Sequence, residues 1–205
     1  MSTGQSPADE ASSWQRGPGP QSLLPSEIHV WRIRRPSADV RRTCRKLLLE
    51  LLGRYAGLDP GQVRLRRGPF GKPELDPGTI QFNVSHSGGM GLVALAAERR
   101  VGVDVEEIRG DVRVDDLARD FLSAQERELL RGLQGDARTQ AFYAAWTRRE
   151  ASIKARGSSI TQAKPGAPDE GQWHLRDMPV GEGYAAALCC EGTPAGVLFW
   201  EWESA

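Results

Sequence analysis

The chain has 205 residues, of which 26% are charged and 39% hydrophobic, and its 27 basic residues balance its 27 acidic ones. This is the composition of an ordinary globular protein with one domain or two small ones and a sizeable core. The three cysteines lack the spacing of a metal site or a disulfide framework, and neither a secretory leader nor a membrane-length apolar run is present, so we expect a cytoplasmic protein.

The first half of the chain begins with a tail and continues with strands around one helix. Residues 1–25 are rich in Ser, Gly, Pro and Gln, which predicts a disordered tail. A strand over 27–33 and a helix over 38–55 follow, the helix with an apolar stripe of seven residues from Val40 to Tyr55. The remaining predicted elements are a short strand over 62–66, a hairpin over 80–85 and 91–97, and a strand over 101–106, which should complete a three-stranded meander.

The second half repeats the order of helices followed by strands. We predict two helical pieces over 114–133, a helix over 139–156 and strands over 172–176, 183–190 and 196–203. Two halves that each mix a helix with antiparallel strands indicate an α+β protein, with two similar α/β subdomains related by a pseudo-twofold axis. We place the N-terminal subdomain at 26–103 and the C-terminal subdomain at 104–205.

Charge is unevenly distributed despite the overall neutrality. Twelve basic and three acidic residues lie between Trp31 and Lys72, whereas ten acidic and five basic residues lie between Val103 and Asp136. Such a division suits a phosphate-rich ligand lying across the boundary, with a metal ion on the acidic side, and it also suits a dimer interface. Four basic residues crowd the first half of the helix over 38–55, where they are either solvated or in contact with phosphate: Arg41, Arg42, Arg45 and Lys46.

The strand over 101–106 carries two carboxylates on one face. Valines alternate with Gly102, Asp104 and Glu106, so the two acidic side chains point the same way, roughly 7 Å apart. A hard divalent cation such as magnesium would relieve their repulsion and would accept oxygen ligands. The alternative is an edge strand with a solvated acidic face.

The helix over 139–156 places one carboxylate and one lysine a turn apart. Glu150 and Lys154 lie on a stripe with Tyr143 and Thr147, next to an apolar stripe of Phe142, Trp146 and Ile153. The pair could act on one ligand, or it could be a surface ion pair. His86 stands at a predicted strand end between Ser85 and Ser87, a setting in which imidazole and backbone N–H groups could hold a phosphate, although a lone histidine is more often structural.

These motifs together resemble a known family. Gly71-Lys72-Pro73, Phe82-Asn83-Val84-Ser85-His86-Ser87, Gly102-Val103-Asp104-Val105-Glu106 and the Phe142–Lys154 helix stand in the order and spacing of the 4′-phosphopantetheinyl transferases. The resemblance is to the larger surfactin-synthetase-activating (Sfp-like) type, which are pseudodimeric monomers, and it covers about residues 26–202. Each motif alone is weak, whereas four in order are specific.

The resemblance implies an activity and a role for each matching residue. Such enzymes transfer the phosphopantetheine arm of coenzyme A to a serine of an apo carrier protein and release 3′,5′-ADP, with magnesium, or alternatively manganese, as the metal. The N-terminal subdomain would then be the coenzyme A side. Asp104, Glu106 and Glu150 match the metal ligands, with Glu150 also the general base and Lys154 the pyrophosphate contact. The implied coenzyme A contacts are Lys72, Ser85, His86, Lys154 and one of Arg41, Arg42 and Arg45.

One position departs from the family pattern, and several alternatives stay open. Arg149 stands where the family helix usually has lysine, which keeps the charge but changes the donor geometry. The competing functions are a coenzyme A or carrier-binding module without transfer, and nucleic-acid binding, which the lack of interleaved aromatics argues against. We expect a monomer without nucleic-acid or membrane partners. Fatty-acid, polyketide and nonribosomal-peptide carriers are all open.

Overall fold

The computed structural model describes residues 14–68, 71–157 and 172–203, and these form four α-helices and nine strands. The helices are α1 (Ser37–Ala56), α2 (Val114–Phe121), α3 (Ala124–Arg131) and α4 (Gly135–Arg156). The strands are β1 (Glu27–Arg34), β2 (Leu65–Arg67), β3 (Pro73–Leu75), β4 (Ile80–Ser87), β5 (Met90–Ala97), β6 (Val101–Glu107), β7 (Trp173–Asp177), β8 (Tyr184–Glu191) and β9 (Gly196–Glu201). Within the described ranges, no helix combines the length and the hydropathy that a bilayer crossing requires.

The first unit of the fold is a strand, a long helix and a hairpin. β1 pairs antiparallel with β5, which pairs antiparallel with β4, so the strands lie in the order β4–β5–β1. The predicted stripe of α1 is largely buried against this sheet, through Val40, Cys44, Leu47, Leu48, Leu51 and Leu52. The helix therefore forms because its apolar period matches the face it covers.

The second unit repeats this arrangement. β6 is followed by the long helix α4 and then by the hairpin β7–β8, and the strands lie in the order β7–β8–β6, with both pairs antiparallel. The shorter helices α2 and α3 are inserted before α4 and pack against Phe142 and Tyr143. The predicted α+β fold with two similar halves is confirmed, since both halves share one strand order and one set of strand directions.

The predicted meander is wrong, because β6 does not pair with β5. β6 belongs to the second sheet, and its valines at 101, 103 and 105 lie in a core shared with the strands of the first sheet. The short turn after β5 steps from one sheet to the other. In addition, β9 leaves the second half and pairs parallel with β1, so the first sheet has four strands in the described structure.

Residues 14–25, which the sequence predicts to be part of a disordered tail, lie against the first sheet. Gln15 forms a parallel bridge with Trp200, and its N–H donates to Phe199 O at 2.9 Å. The Trp14 ring contacts Phe199 with 5.0 Å between centroids, and its indole N–H donates to Pro179 O at 2.6 Å. The difference arises because Trp14 buries apolar surface against Phe199, while the backbone of Gln15 pairs with the outer edge of β9. Residues 1–13 lie outside the described range.

Candidate active site

The acidic face of β6 is turned toward α4. Gly102, Asp104 and Glu106 share this face, and Gly102 lies directly beneath the helix. A Cβ atom built on Gly102 would lie 2.9 Å from Ala155 Cα and closer still to Ala151 O and Ala155 N. Because these atoms belong to the α4 backbone, only glycine allows the helix to approach this closely. The approach brings Glu150 and Lys154 over the two strand carboxylates.

Asp104 lies at the centre of the site. Its Oδ1 accepts hydrogen bonds from Lys154 Nζ at 2.6 Å and from Ser85 Oγ at 2.8 Å. The Asp104 side chain is 3% exposed and the Lys154 side chain 27%, so the ion pair is shielded from water on one side and open on the other. Burial raises the pKa of Asp104, while the charge and hydrogen bond of Lys154 oppose that rise.

Glu106 and Glu150 complete a group of three carboxylates. Burial raises the pKa of Glu106, as does the charge of Asp104, whereas the hydrogen bond from Ser87 Oγ at 2.7 Å lowers it. Burial also raises the pKa of Glu150, and the negative charges of Asp104 and Glu106 add to the rise, against Lys154 and Arg149. The charges of the three carboxylates therefore repel one another.

The donor set fits a hard divalent cation in its chemistry. Asp104 Oδ2 is buried and has no hydrogen-bond partner among the described residues, an arrangement that costs free energy unless a cation or donor is supplied. Carboxylate oxygens are the ligands that magnesium prefers. No group of three His, Cys, Asp or Glu side chains within the described residues is already arranged around a metal position. In this structure Lys154 supplies the positive charge that Asp104 requires.

Ser85 and His86 lie on opposite faces of β4. Ser85 is buried and points to β6, where its hydroxyl also accepts a hydrogen bond from Lys154 Nζ at 3.1 Å. His86 is exposed and opposes Gly91, whose Cβ position faces Cys44 of α1. His86 thus lies on the face that α1 covers, and the structure does not bring the two together around one ligand.

Lys72 and the α1 arginines occupy different environments. Lys72 Nζ donates to the carbonyl oxygens of Val101 and Lys154, both at 3.1 Å, and so joins the start of β6 to the end of α4. Burial lowers the pKa of Lys72, against the attraction of Glu74. Arg41 and Arg45 are exposed on α1, as is Arg42, which pairs with Asp39 at 2.6 Å.

The sequence analysis assigned no role to Asn83 or Ser87, and it did not predict that Gly102 packs against α4. Asn83 Oδ1 accepts the Val103 N–H at 2.9 Å, and Ser87 Oγ donates to Glu106. The available signal was the two-residue period of polar side chains at 83, 85 and 87, which places them on one face of β4 opposite His86.

The site thus lies where two strand–helix–hairpin units meet, with acidic and basic side chains at the junction. The family model described as the 4′-phosphopantetheinyl transferase superfamily matches residues 100–203. The match spans half of the chain and includes β6, all of α4 and the hairpin β7–β8. The chain belongs to this superfamily and is therefore an enzyme of the phosphopantetheinyl transferase class.

Individual relatives extend the similarity to the first half. The Synechocystis sp. protein slr0495, whose name places it among the 4′-phosphopantetheinyl transferases, is 35% identical over 184 residues, covering 80% of this chain and 75% of its own. The 4′-phosphopantetheinyl transferase HetI of Nostoc sp. is 28% identical over 233 aligned positions, covering 93% of this chain and 98% of its own. The 4′-phosphopantetheinyl transferase of Bacillus subtilis is 30% identical over 142, covering 61% of this chain and 62% of its own.

Proposed function

We propose that the chain transfers the 4′-phosphopantetheine arm of coenzyme A to a serine of an apo carrier protein in a magnesium-dependent reaction. One observation carries this proposal. Lys154 binds Asp104 at 2.6 Å beneath the helix that holds Glu150. The pKa of Asp104 is raised by burial, and the pKa values of Glu106 and Glu150 are raised by burial and by the charge of Asp104. A site that only binds coenzyme A has no need of three mutually repelling carboxylates, whereas phosphoryl transfer requires a cation at the diphosphate.

The reaction forms one bond and breaks one. The carrier serine Oγ attacks the phosphorus that bears the pantetheine arm, and the bond from this phosphorus to the bridging oxygen breaks, which releases 3′,5′-ADP. Glu150 accepts the serine proton, directly or through a water molecule, and its raised pKa makes it a better base than an ordinary glutamate. Lys154 stabilises the negative charge that develops on the leaving phosphate.

The residues assigned to the metal are Asp104, Glu106 and Glu150. Asp104 would contribute its buried Oδ2, which has no partner among the described residues. Magnesium would supply positive charge at the diphosphate when these residues hold it. Manganese has the same preference for oxygen ligands and should substitute for it.

Coenzyme A would lie across the boundary of the two units. One of the exposed Arg41, Arg42 and Arg45 is proposed to bind the 3′-phosphate, and His86 lies on the same side of the first sheet as α1. Ser85 would act on the ligand through Lys154, which it binds at 3.1 Å. For Lys72 we propose a contact with the adenine end of coenzyme A. Two of the three N–H groups of its ammonium donate to backbone carbonyls, and the third is available for this contact.

We further propose that the chain is of the larger, Sfp-like type and acts as a monomer. The repeated strand order in one chain supports this, because both units that build the site are present without a second copy. Acyl, peptidyl and polyketide carrier proteins are the proposed partners.

Intact mass spectrometry of a purified apo carrier with coenzyme A tests the proposal. Wild-type chain should add the mass of one phosphopantetheine group when magnesium is present and none when it is chelated. Asp104→Asn and Glu150→Gln should remain folded and lose the activity, whereas Glu191→Gln, the same change at an exposed ion pair with Arg100, should keep it. Bound coenzyme A without any mass shift for carriers of all three classes would instead support a binding module.

A further inference from the structure

β4 and β6 belong to different sheets, and yet three side chains join them as a backbone ladder would. Asn83 Oδ1, Ser85 Oγ and Ser87 Oγ accept hydrogen bonds from the backbone N–H groups of the residues 20 positions later, at 2.9, 3.4 and 3.1 Å. The constant offset means that the two strands run parallel and in one register. Side chains on a strand alternate between its two faces. A shift of β4 by one residue along the chain would therefore turn all three side chains away from β6 and break all three hydrogen bonds.

The second and third rungs repeat one further contact. Ser85 Oγ accepts the Val105 N–H and donates to the carboxylate of Asp104, which precedes Val105. Ser87 Oγ accepts the Glu107 N–H and donates to the carboxylate of Glu106 at 2.7 Å. A serine hydroxyl has a single proton. Because each Oγ accepts the hydrogen bond of the backbone N–H, it donates its own proton in a hydrogen bond to the carboxylate.

We infer that Asn83, Ser85 and Ser87 form a side-chain ladder that sets the register between the two units, and that Ser87 is a positioning residue for Glu106. Ser87 acts through Glu106, with Oε2 as the oxygen that it holds, and it does not touch the reacting atoms. This role rests on the proposed function, since it gives Glu106 a fixed orientation toward a magnesium ion. Mutation of partners that orient metal-binding carboxylates in this way typically costs about 10- to 100-fold in metal affinity.

The test compares Ser87→Ala with Ser87→Thr, which keeps the hydroxyl on a strand-compatible side chain. Ser26→Ala is the control, because Ser26 is exposed just before β1. Magnesium affinity is measured by titration calorimetry on the full chain without coenzyme A, and exchange of the Glu107 amide hydrogen by NMR. We expect Ser87→Ala to weaken magnesium binding roughly 10- to 100-fold and to speed Glu107 exchange, while Ser87→Thr and Ser26→Ala stay within about threefold of wild type.

The outcomes separate this inference from the proposed function. If wild type transfers the arm and Ser87→Ala binds magnesium as tightly as wild type, the positioning role is wrong and the function stands. If wild type binds magnesium but modifies no carrier, and Ser87→Ala loses that binding, the inference stands and the function fails. A wild-type chain without magnesium affinity overturns the inference. Should Ser87→Ala not fold, Ser87→Cys, a weak donor of similar volume, takes its place in the same comparison.

Discussion

Replacing Gly102 by alanine tests the closest packing in the site. The added Cβ would lie 2.9 Å from Ala155 Cα, whereas ordinary contacts of such atoms begin at 3.4 Å, and it would lie nearer still to Ala151 O and Ala155 N. Since all three atoms are backbone, no change of rotamer on α4 relieves the overlap. The helix must move away from β6 by at least about 0.5 Å, with an overpacking cost of about 1–3 kcal/mol.

The displacement acts directly on the site. Lys154 follows Ala151 by three residues on the same helix, and its 2.6 Å contact with Asp104 spans the gap that would widen. A misplacement of about 1 Å in a catalytic arrangement can cost 10²-fold in rate, so we expect Gly102→Ala to lose about 10- to 100-fold in carrier modification. The melting temperature should fall by about 4–8 °C, as about 2 kcal/mol implies for a chain of this size.

The assay is the initial rate of mass gain by an apo carrier, with thermal melting of the same samples. Gly196→Ala is the matched control, because Gly196 also lies in a strand and its Cβ position has open space around it. The reasoning would be refuted if Gly102→Ala matched Gly196→Ala in both rate and melting temperature. Such a result would mean that α4 does not rest on the β6 backbone.

Three further predictions concern charge and packing. Without magnesium, Glu150→Gln should raise the melting temperature, because it removes a carboxylate whose pKa is raised by burial and by like charge. Glu191→Gln, which loses an exposed ion pair, should not raise it. Burial lowers the pKa of His29, so the unfolded chain binds the extra proton first and stability is lost as pH falls below about 6.5. Wild type should therefore melt lower at acidic than at neutral pH, and His29→Gln should show a shallower dependence; equal slopes would exclude His29 as the cause. Trp14→Ala should lower the free energy of unfolding in urea by about 2 kcal/mol, given its contact with Phe199, and an unchanged midpoint would show that this segment is not held in solution.

Long periodic elements were predictable because their pattern reflects the surface that they cover. The stripe of α1 from Val40 to Leu52 is buried as predicted, and the alternation in β6 puts Asp104 and Glu106 on the face toward α4. Such elements can be predicted from the local sequence alone, because an apolar period of 3.6 or 2 residues indicates which face packs against the core.

Pairing between strands was not predictable in the same way. A short turn after β5 is compatible with continuing one sheet and with stepping to another, and the sequence does not show which edge of β6 carries a neighbour. The structure assigns one edge to β8 and the other to side chains of β4. Ser85 and His86 show a second reason why the site was hard to predict. They are neighbours in the motif, but successive residues of a strand point to opposite faces, so the two side chains could not both line one ligand from the same face.

The position of the site follows from the repeated topology. In the first unit α1 covers its sheet with large aliphatic side chains, whereas in the second unit α4 meets β6 through Gly102, Ala151 and Ala155. Small residues bring helix and strand backbones together, so Asp104 and Lys154 meet where the larger spacing of the first unit would keep them apart. Asp104, Glu106 and Glu150 are partly or fully buried there, and this burial raises the pKa of each. The repulsion among these carboxylates lowers the stability of the chain without ligand. Proteins retain such an arrangement at functional sites, where a bound cation would neutralise the charges.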